Sequence, residues 1–418
     1  MTLHDEILTM GDRAVAASRQ LLLLNARKKK AILLEMADEL ESRGGDLLAA
    51  NRRDMEEGRQ AGLSSAMLDR LQLTEARISA MARGIRVVAD LKDPVGARIA
   101  RWIRPNGLEI IKRRVPIGVI AIIYEARPNV TADSASLCLK TSNAVILRGG
   151  KESIHSNSAI AAALMEGGRR KGLPEHAIQL VTTTDRDAVR ELVRLEGRVD
   201  VVIPRGGEGL IRAVTEMATV PVLKHYKGVC HVFVDESADV EMALRIVENA
   251  KCQRPGVCNA MEKLLVHERI ADLFLPRVAD VLERRGVELR GDAEACARIP
   301  GMKAATEEDW HAEYLDLILA IRVVPSVQAA IDHINRYGSR HSDAIVTESD
   351  AAANQFTDLV DSSAVFVNAS TRFNDGGEFG MGAEIGISTD KLHARGPMGL
   401  EELTTYKYIV HGAGQVRE

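Results

Sequence analysis

Gly118-Val119-Ile120-Ala121-Ile122-Ile123 is a short apolar run, and Ala144-Val145-Ile146-Leu147 is a second, with a helical segment at Thr131–Thr141 between them. Runs of this length are typical of buried strands, and their alternation with helices is typical of a parallel, doubly wound sheet. The same rhythm continues in the strands expected at Ile178–Val181 and Val199–Ile203. The sequence therefore predicts an α/β fold.

A second α/β region begins near residue 229. Its predicted strands are the short apolar runs His231–Val234, Lys263–Val266, Ile318–Val323, Asp343–Val346 and Ala364–Val367. Two other segments, Leu108–Val115 and Thr404–His411, alternate polar and apolar residues, which is typical of a half-exposed ribbon. We expect them to pair with each other or with another subunit. The first ninety or so residues have helical periodicity.

The composition excludes several classes of protein. Hydrophobic residues make up 46% of the 418 residues and charged residues 27%, which excludes a chiefly disordered chain. Aromatic residues are only 3% and the net charge is −4, so a nucleic-acid-binding surface is not expected. The sequence has no apolar run of about 18 residues and no secretory signal pattern, so neither a transmembrane helix nor secretion is expected.

The cysteines point to a reducing compartment. Their number, five, is odd, and they are not closely paired, which argues against a disulfide framework. Neither Cys-x-x-Cys nor His-Glu-x-x-His spacing occurs, so no zinc site is predicted. The sequence also lacks the Gly-x-Ser-x-Gly of serine hydrolases and the phosphate-binding loop of P-loop kinases.

The segment Lys251-Cys252-Gln253-Arg254-Pro255-Gly256-Val257-Cys258-Asn259-Ala260 carries the strongest chemical signal. Its Pro-Gly pair predicts a turn between a helix and a strand, and this turn presents Cys258. A thiolate is an effective nucleophile when cations are near it, and Arg254 and Lys251 are candidates for that charge. From spacing alone, a buried structural cysteine is the alternative.

Three long segments resemble one known family. They are Tyr124-Glu125-Ala126-Arg127-Pro128-Asn129-Val130-Thr131, Gln253–Ala260 and Arg372-Phe373-Asn374-Asp375-Gly376-Gly377-Glu378-Phe379-Gly380. They closely resemble the gamma-glutamyl phosphate reductases, also called glutamate-5-semialdehyde dehydrogenases, of the aldehyde dehydrogenase superfamily. The resemblance extends over nearly the whole chain.

The resemblance implies a fold and an activity. The expected fold has two doubly wound parallel-sheet domains and a small β ribbon for oligomerisation. The expected reaction is the NADPH-dependent reduction of L-glutamate 5-phosphate to the semialdehyde with release of phosphate, which is the second step of proline synthesis from glutamate. A cytoplasmic homo-oligomer, functionally associated with glutamate 5-kinase, is implied, without nucleic-acid or membrane partners.

Domain boundaries follow from the same resemblance. Residues 1–228 are expected to form the NADPH-binding domain with its helical N-terminal part, and residues 229–368 the catalytic domain with the nucleophile. Residues 105–116 and 400–415 are expected to form the ribbon, and residues 369–399 a loop that lines the substrate site.

The resemblance assigns Cys258 as the nucleophile that forms a thioester, and Asn129 as a donor to the oxyanion together with the Cys258 backbone N–H. A helix N-cap is the alternative role for Asn129. Arg254 and Arg372 are expected to bind the anionic substrate, although Arg372 is also explained by pinning its loop. Hydrolytic relatives carry a glutamate base about 34 residues before the nucleophile, whereas Leu223–Gly228 contains no carboxylate and instead has Lys224, His225 and Lys227. The alternative for these three is ordinary surface charge.

The expected cofactor site consists of five residues. Arg148 and Lys151 are candidates for the 2′-phosphate of NADPH, with solvated surface charge as the alternative. Gly206 and Gly207 precede a helix whose N-terminus is expected to face the pyrophosphate. Glu313 resembles the glutamate that binds the nicotinamide ribose, or else is an exposed glutamate.

Two other functions fit the same residues. One is another acylating semialdehyde dehydrogenase, which uses a different acyl phosphate or an acyl-coenzyme A. The other is a catalytically inactive binding or scaffold protein of the same fold, against which the intact Cys258 segment argues.

Overall fold

A computed structural model of the chain describes residues 2–417. The chain divides into two compact units. The first comprises Met1–Lys224, Gly380–Gly386 and Met398–Glu418, and the second comprises His225–Phe379 and Ile387–Pro397. Within residues 2–417, no helix combines the length and the apolar character that a membrane span requires.

The first unit begins with helices. They are α1 (Leu3–Leu21), α2 (Ala26–Ser42), α3 (Gly44–Gln60), α4 (Ser65–Leu71) and α5 (Glu75–Asp90). At the N-termini of α1, α2, α4 and α5 a side chain accepts from an otherwise unpaired backbone donor: the Asn25 side chain accepts from Lys28 N at 2.9 Å, and the Thr74 side chain caps α5. The helices bury regularly spaced apolar residues, such as Ile32, Leu33 and Met36 of α2.

The parallel sheet of the first unit follows these helices. The elements in chain order are β1 (Arg98–Ile103), β2 (Glu109–Pro116), β3 (Val119–Tyr124), α6 (Asn129–Lys140), β4 (Ala144–Arg148), α7 (Ile154–Arg170), β5 (Ile178–Leu180), α8 (Asp187–Leu192), β6 (Val201–Arg205) and α9 (Glu208–Met217). The sheet has the order β5-β4-β3-β6, and its strands are parallel. Every residue of β3 and β4 is buried, which explains why these strands read as continuous apolar runs.

The second unit contains a larger parallel sheet. Its elements are β7 (Cys230–Val234), α10 (Val240–Cys252), β8 (Met261–His267), α11 (Glu268–Glu283), β9 (Glu288–Gly291), α12 (Ala293–Arg298), β10 (Lys303–Ala304), α13 (Glu307–His311), β11 (Ile318–Val324), α14 (Val327–Tyr337), β12 (Ser342–Val346), α15 (Asp350–Leu359), β13 (Ala364–Val367), β14 (Ile387–Ser388) and β15 (Gly396–Pro397). The order of the main sheet is β10-β9-β11-β8-β7-β12-β13.

Helices cover both faces of this larger sheet. On one face, apolar residues of α10 and α11, including Val247 and Phe274, pack with Leu264 of β8. On the other face, Ile331 of α14 and Phe356 of α15 belong to a second apolar cluster. The predicted α/β fold with parallel sheets is therefore confirmed, and burial of the core side chains contributes about 1.5–3 kcal/mol for each large residue.

The last strand, β16 (Thr404–His411), belongs to the first unit and completes an antiparallel sheet of order β1-β2-β16. Thr404 is opposite Pro116 and His411 is opposite Glu109, so the predicted pairing of the two ribbon segments is confirmed. The edge strand β1 was not predicted. Its side chains are mostly exposed, so it lacks the buried pattern from which strands are recognised.

Candidate active site

The loop that carries Cys258, residues 253–260, connects α10 to β8 and is called the Cys258 loop below. Helix α10 starts at Val240, where the Asp239 side chain accepts from Met242 N at 2.6 Å. Cys258 is half-buried, and its carbonyl oxygen accepts a hydrogen bond from Cys230 Sγ at 3.1 Å. The nucleophile candidate therefore has a partly accessible side chain on a backbone that is tied to the first residue of β7.

Gly228 also packs against the backbone of the Cys258 loop. A Cβ atom at this position would lie 1.8 Å from the carbonyl oxygen of Cys258, so only glycine allows this approach. The backbone N–H of Gly228 donates to Glu313 Oε1 at 2.8 Å. Glu313, a predicted cofactor residue, is thus bonded to the segment that packs against Cys258.

A buried ion pair joins the two elements that flank the loop. Lys251 Nζ of α10 lies 3.0 Å from Glu262 Oε2 of β8, and both side chains are fully buried. Burial lowers the pKa of Lys251 and raises the pKa of Glu262. Glu262 Oε1 also accepts from Leu315 N at 3.1 Å. Lys251 was expected to supply positive charge to the thiol, but its ammonium group is directed to Glu262.

Arg372 is bound directly to the Cys258 loop. Its Nε donates to Gln253 Oε1 at 2.8 Å and its Nη1 to Asn259 Oδ1. Asn259 in turn donates from Nδ2 to the carbonyl oxygen of Asn374 at 3.0 Å. Burial and the nearby Arg254 guanidinium lower the pKa of Arg372. Of the two predicted substrate residues, Arg372 is therefore bonded to the Cys258 loop, and Arg254 is part of that loop and interacts electrostatically with Arg372.

Two histidines also surround the thiol. One nitrogen of His225, one nitrogen of His341 and Cys258 Sγ lie within 4.8 Å of one another. His341 Nδ1 is 2.8 Å from Ser342 Oγ at the start of β12. His225 was expected only as additional positive charge, and His341 was not predicted for the site at all. Its position follows from the pairing of β12 with β7, for which neighbouring residues give no signal.

The structure places Asn129 in the first unit, as the first residue of α6. Its side chain donates from Nδ2 to Asp133 Oδ2 at 2.9 Å, and the preceding residue, Pro128, occupies the N-cap position. Asn129 is therefore not the N-cap that we considered as its alternative role. Burial raises the pKa of Asp133 to about 6.

The turn after β4, residues 149–151, is called the β4 turn. It follows Arg148, whose guanidinium is largely buried and donates to Gly149 O at 2.9 Å and to Thr184 O at 3.3 Å. Arg148 Nε is buried without a hydrogen-bond partner among the described residues. Lys151 is exposed at the start of a short 3₁₀ turn. Arg148 is thus not solvated surface charge, whereas Lys151 is accessible.

The turn after β6, residues 206–207, is called the β6 turn and precedes α9. Its Gly207 N–H donates to Glu125 Oε2 at 3.1 Å, and a Cβ atom on Gly206 would lie 2.6 Å from Glu125 Cδ. The carboxylate of Glu125 therefore occupies the helix N-terminus at which a pyrophosphate was predicted. Glu125 follows β3, so this turn lies at the point where the strand order of the sheet reverses, the usual ligand position in such sheets.

Comparison with known proteins gives a consistent assignment. The sequence model of the aldehyde dehydrogenase family matches residues 4–295. The gamma-glutamyl phosphate reductase of Moorella thermoacetica is 59% identical over 413 residues, which cover 99% of each chain. The gamma-glutamyl phosphate reductase of Geotalea daltonii is 55% identical over 418 residues, covering both chains fully.

A solved structure agrees with these sequence relatives. The crystal structure of the gamma-glutamyl phosphate reductase of Thermotoga maritima has a TM-score of 0.97 and 48% identity, and the match covers 99% of this chain and 100% of that one. The chain therefore belongs to the aldehyde dehydrogenase family, among the gamma-glutamyl phosphate reductases.

Proposed function

We propose that the chain reduces L-glutamate 5-phosphate to L-glutamate 5-semialdehyde and phosphate with NADPH, through a thioester on Cys258. The reaction is the second step of proline synthesis from glutamate. The observation that carries the proposal is the half-buried Cys258 on a fixed loop, which also carries Arg254 and is bonded by the guanidinium group of Arg372. The full-length relatives named for this activity support it.

The chemistry begins at Cys258 Sγ. The thiolate forms a bond to the acyl carbon, and the bond from that carbon to the phosphate oxygen breaks, so phosphate leaves and a thioester remains. NADPH, when bound, supplies the hydride that reduces this thioester. The resulting thiohemiacetal releases the aldehyde and regenerates the thiolate. The Cys258 backbone N–H and the Asn129 carboxamide are the proposed donors to the oxyanion.

Arg254 and Arg372 are the proposed binding groups for the substrate anions. Guanidinium groups bind carboxylates and phosphates in a planar, two-pronged geometry. Arg372 is fixed by its bonds to Gln253 and Asn259, so its orientation is set before an anion arrives. The positive charges of Arg254 and Arg372 repel each other, and a dianionic acyl phosphate relieves this repulsion when it binds.

The segment 223–228 favours transfer to hydride over hydrolysis. It replaces the carboxylate base of hydrolytic relatives with Lys224, His225 and Lys227. Without a base positioned to activate water, the thioester persists until it is reduced.

The proposal also includes binding of the cofactor. The residues proposed for this role are Arg148, Lys151, Gly206, Gly207 and Glu313.

The first unit has features that fit a dinucleotide. A positive side chain at the end of β4 has a buried, unbonded Nε, and an exposed lysine follows it. Lys151 is the proposed partner of the 2′-phosphate, and the Gly206-Gly207 backbone is the proposed partner of the pyrophosphate, once Glu125 has turned away from Gly207 N.

The antiparallel ribbon is the proposed surface for homo-oligomer formation. Its strands expose a set of large apolar side chains: Ile99, Trp102, Ile103, Tyr406, Tyr408 and Val410. Such residues are typical of protein interfaces when they are grouped.

The five free cysteines support a reducing, cytoplasmic location. A functional association with glutamate 5-kinase is proposed from the family resemblance.

The test measures substrate-dependent oxidation of NADPH with glutamyl phosphate, aspartyl phosphate and an acyl-coenzyme A, in the wild type and in Cys258→Ser. We expect turnover with glutamyl phosphate alone and a loss of several orders of magnitude in Cys258→Ser, with an unchanged circular dichroism spectrum. Cys296→Ser, which removes another half-buried thiol of the same unit, is the matched control.

Other results would change the conclusion. A preference for another acyl donor would assign the chain to a different acylating dehydrogenase. More than about a tenth of wild-type activity in Cys258→Ser would contradict the nucleophilic role, because loss of a nucleophile costs far more.

A further inference from the structure

The grouping of His225, Cys258 and His341 has a chemical property that the proposed reaction does not use. Two imidazole nitrogens and one thiol sulfur lie within 4.8 Å of one another. Neutral imidazole and thiolate are the ligands that Zn²⁺ and related soft divalent cations prefer. We propose that these three side chains form an inhibitory site for such a cation, which binds the sulfur of Cys258 and so competes with the acyl substrate.

The distances are compatible with metal binding after small side-chain rotations. Zinc binds sulfur at about 2.3 Å and nitrogen at about 2.0–2.1 Å, so the donors of a tetrahedral site lie roughly 3.3–3.7 Å apart. His225 and Cys258 are half-buried side chains on loops, where rotation about the side-chain bonds can close the remaining gap. The rings of His225 and His341 already lie with centroids 5.5 Å apart.

His341 is the fixed member of the group. It is fully buried, and its Nδ1 lies 2.8 Å from Ser342 Oγ and 3.7 Å from Cys230 Sγ. Ser342 Oγ in turn accepts a hydrogen bond from Asn374 Nδ2 at 2.7 Å. Because Nδ1 is the hydrogen-bonded nitrogen, we assign Nε2 as the metal ligand. Support of this kind behind a histidine ligand fixes the ring orientation and raises metal affinity.

The surroundings also set the expected strength of binding. Three protein ligands leave a fourth position to water, as in exchangeable zinc sites rather than closed structural ones. The guanidinium groups of Arg254 and Arg372 repel a divalent cation near Cys258. We therefore expect reversible inhibition with an affinity well below that of structural zinc sites, and no requirement for metal in folding.

The binding test uses Co²⁺ as a probe with the full-length protein, after reduction and removal of reductant and chelators under nitrogen. We expect a thiolate-to-cobalt charge-transfer band in the near ultraviolet and the strong visible bands of four-coordinate Co²⁺. Cys258→Ser should abolish the charge-transfer band, and His225→Ala should weaken Co²⁺ binding by about tenfold or more. His341→Gln, whose folding is checked by circular dichroism, should act in the same direction.

Two control variants match the two kinds of ligand. Cys296→Ser removes a half-buried thiol and His311→Ala an exposed imidazole of the same unit, and both should retain the spectrum. Loss of the band in Cys296→Ser, or wild-type affinity in His225→Ala and folded His341→Gln, would overturn the proposed site.

The inhibition test rests on the proposed role of Cys258, whereas the spectroscopic test does not. Zn²⁺ should inhibit NADPH oxidation competitively with glutamyl phosphate, and the inhibition constant should rise about tenfold in His225→Ala, measured against that variant's own uninhibited rate. An unchanged inhibition constant would mean that Zn²⁺ acts on the thiol alone and would overturn the site. If Co²⁺ shows the expected ligands but Zn²⁺ does not inhibit, the three side chains bind a cation but the proposed inhibition is overturned, and the activity of Cys258→Ser decides separately whether Cys258 is the nucleophile.

Discussion

In the second unit, the Cys258 loop is held from several directions: Cys230 and Gly228 contact its backbone, Arg372 binds its side chains, and the Lys251–Glu262 pair joins its flanking elements. In the first unit, exposed groups lie at the two turns: Lys151 is on the β4 turn, and Glu125, which follows β3, accepts a hydrogen bond from Gly207 of the β6 turn. A nucleophile must meet a carbonyl carbon in one geometry, whereas a long cofactor is bound by many weak contacts. The difference predicts that small changes around Cys258 affect turnover strongly, and changes at the two turns affect cofactor choice mildly.

The largest effect is expected for Gly228→Ala. The added Cβ atom would lie 1.8 Å from the Cys258 carbonyl oxygen, so either Gly228 or the loop must move. We expect kcat to fall by about a hundredfold or more and the free energy of unfolding to fall by about 2 kcal/mol or more. Steady-state kinetics and urea denaturation measure the two effects.

The control for this variant is Gly256→Ala in the loop itself, where the nearest atom to the added Cβ is Leu315 O at 3.7 Å. That contact is ordinary, so the control should remain close to wild type. Activity within twofold of wild type in Gly228→Ala would show that the loop is not held as tightly as the comparison states.

The second prediction concerns Arg372→Lys. A lysine keeps the positive charge but cannot make both bonds to Gln253 and Asn259. If Arg372 binds the substrate, the KM for glutamate semialdehyde should rise about tenfold or more, which corresponds to about 1.4 kcal/mol, while the KM for NADP changes little. Gln253→Ala is the matched variant because it removes one anchor of Arg372 without removing the charge. A semialdehyde KM within twofold in Arg372→Lys would leave Arg372 only the role of pinning its loop.

The parallel strands at the centre of each sheet were predicted because their residues are buried on both faces, whereas the ribbon strands β2 and β16 were predicted from alternating polar and apolar residues. Strands β3 and β4 are largely apolar because helices cover both sheet faces, and β8 is equally buried although it contains Glu262 and Lys263. Strand β10, at the sheet edge, and its neighbour β9 were missed. They are short, and they include exposed or half-exposed residues, so their sequence does not differ from that of a loop.

The residues of the site also divide into those that local sequence predicts and those that only the tertiary structure brings together. The turn that presents Cys258 was predictable because Pro255-Gly256 acts locally. The positions of Glu262 and His341 were not predictable, because strand pairing and burial rather than a nearby sequence motif bring them to the site. Lys251 shows the limit most directly: its distance along the chain suggested contact with the thiol, whereas the inward face of α10 directs it to Glu262.

The third prediction uses pH and concerns Asp133, the partner of Asn129. Its pKa in the folded protein is about 6, compared with 3.8 for an ordinary aspartate, because burial disfavours the charge. The folded state therefore binds more protons between these two values, and the free energy of unfolding should fall as pH rises from about 4 to about 6. Asp133→Asn should remove this part of the pH dependence and stabilise the protein at pH 8 by about 1–2 kcal/mol.

Urea denaturation at pH 5 and pH 8 checks the prediction for Asp133, with Asp358→Asn as the control because Asp358 is exposed on α15. The stability difference between wild type and Asp133→Asn should be larger at pH 8 than at pH 5. An equal difference at both values would mean that Asp133 does not titrate in this range.

The smallest effect is expected at the β4 turn, where the structure separates two residues that the sequence had treated alike. Lys151 is exposed, so Lys151→Ala should lower the ratio of kcat/KM for NADPH to that for NADH by about five- to tenfold, through loss of a charge-assisted bond worth about 1–1.4 kcal/mol at this exposed position. Arg148 is buried and bonded to two backbone carbonyl groups, so Arg148→Ala should lower the melting temperature. Lys92→Ala, an exposed lysine of the same unit, is the control. If neither Lys151→Ala nor Arg148→Ala changes the ratio, the 2′-phosphate is bound elsewhere, and the turn serves only to end β4.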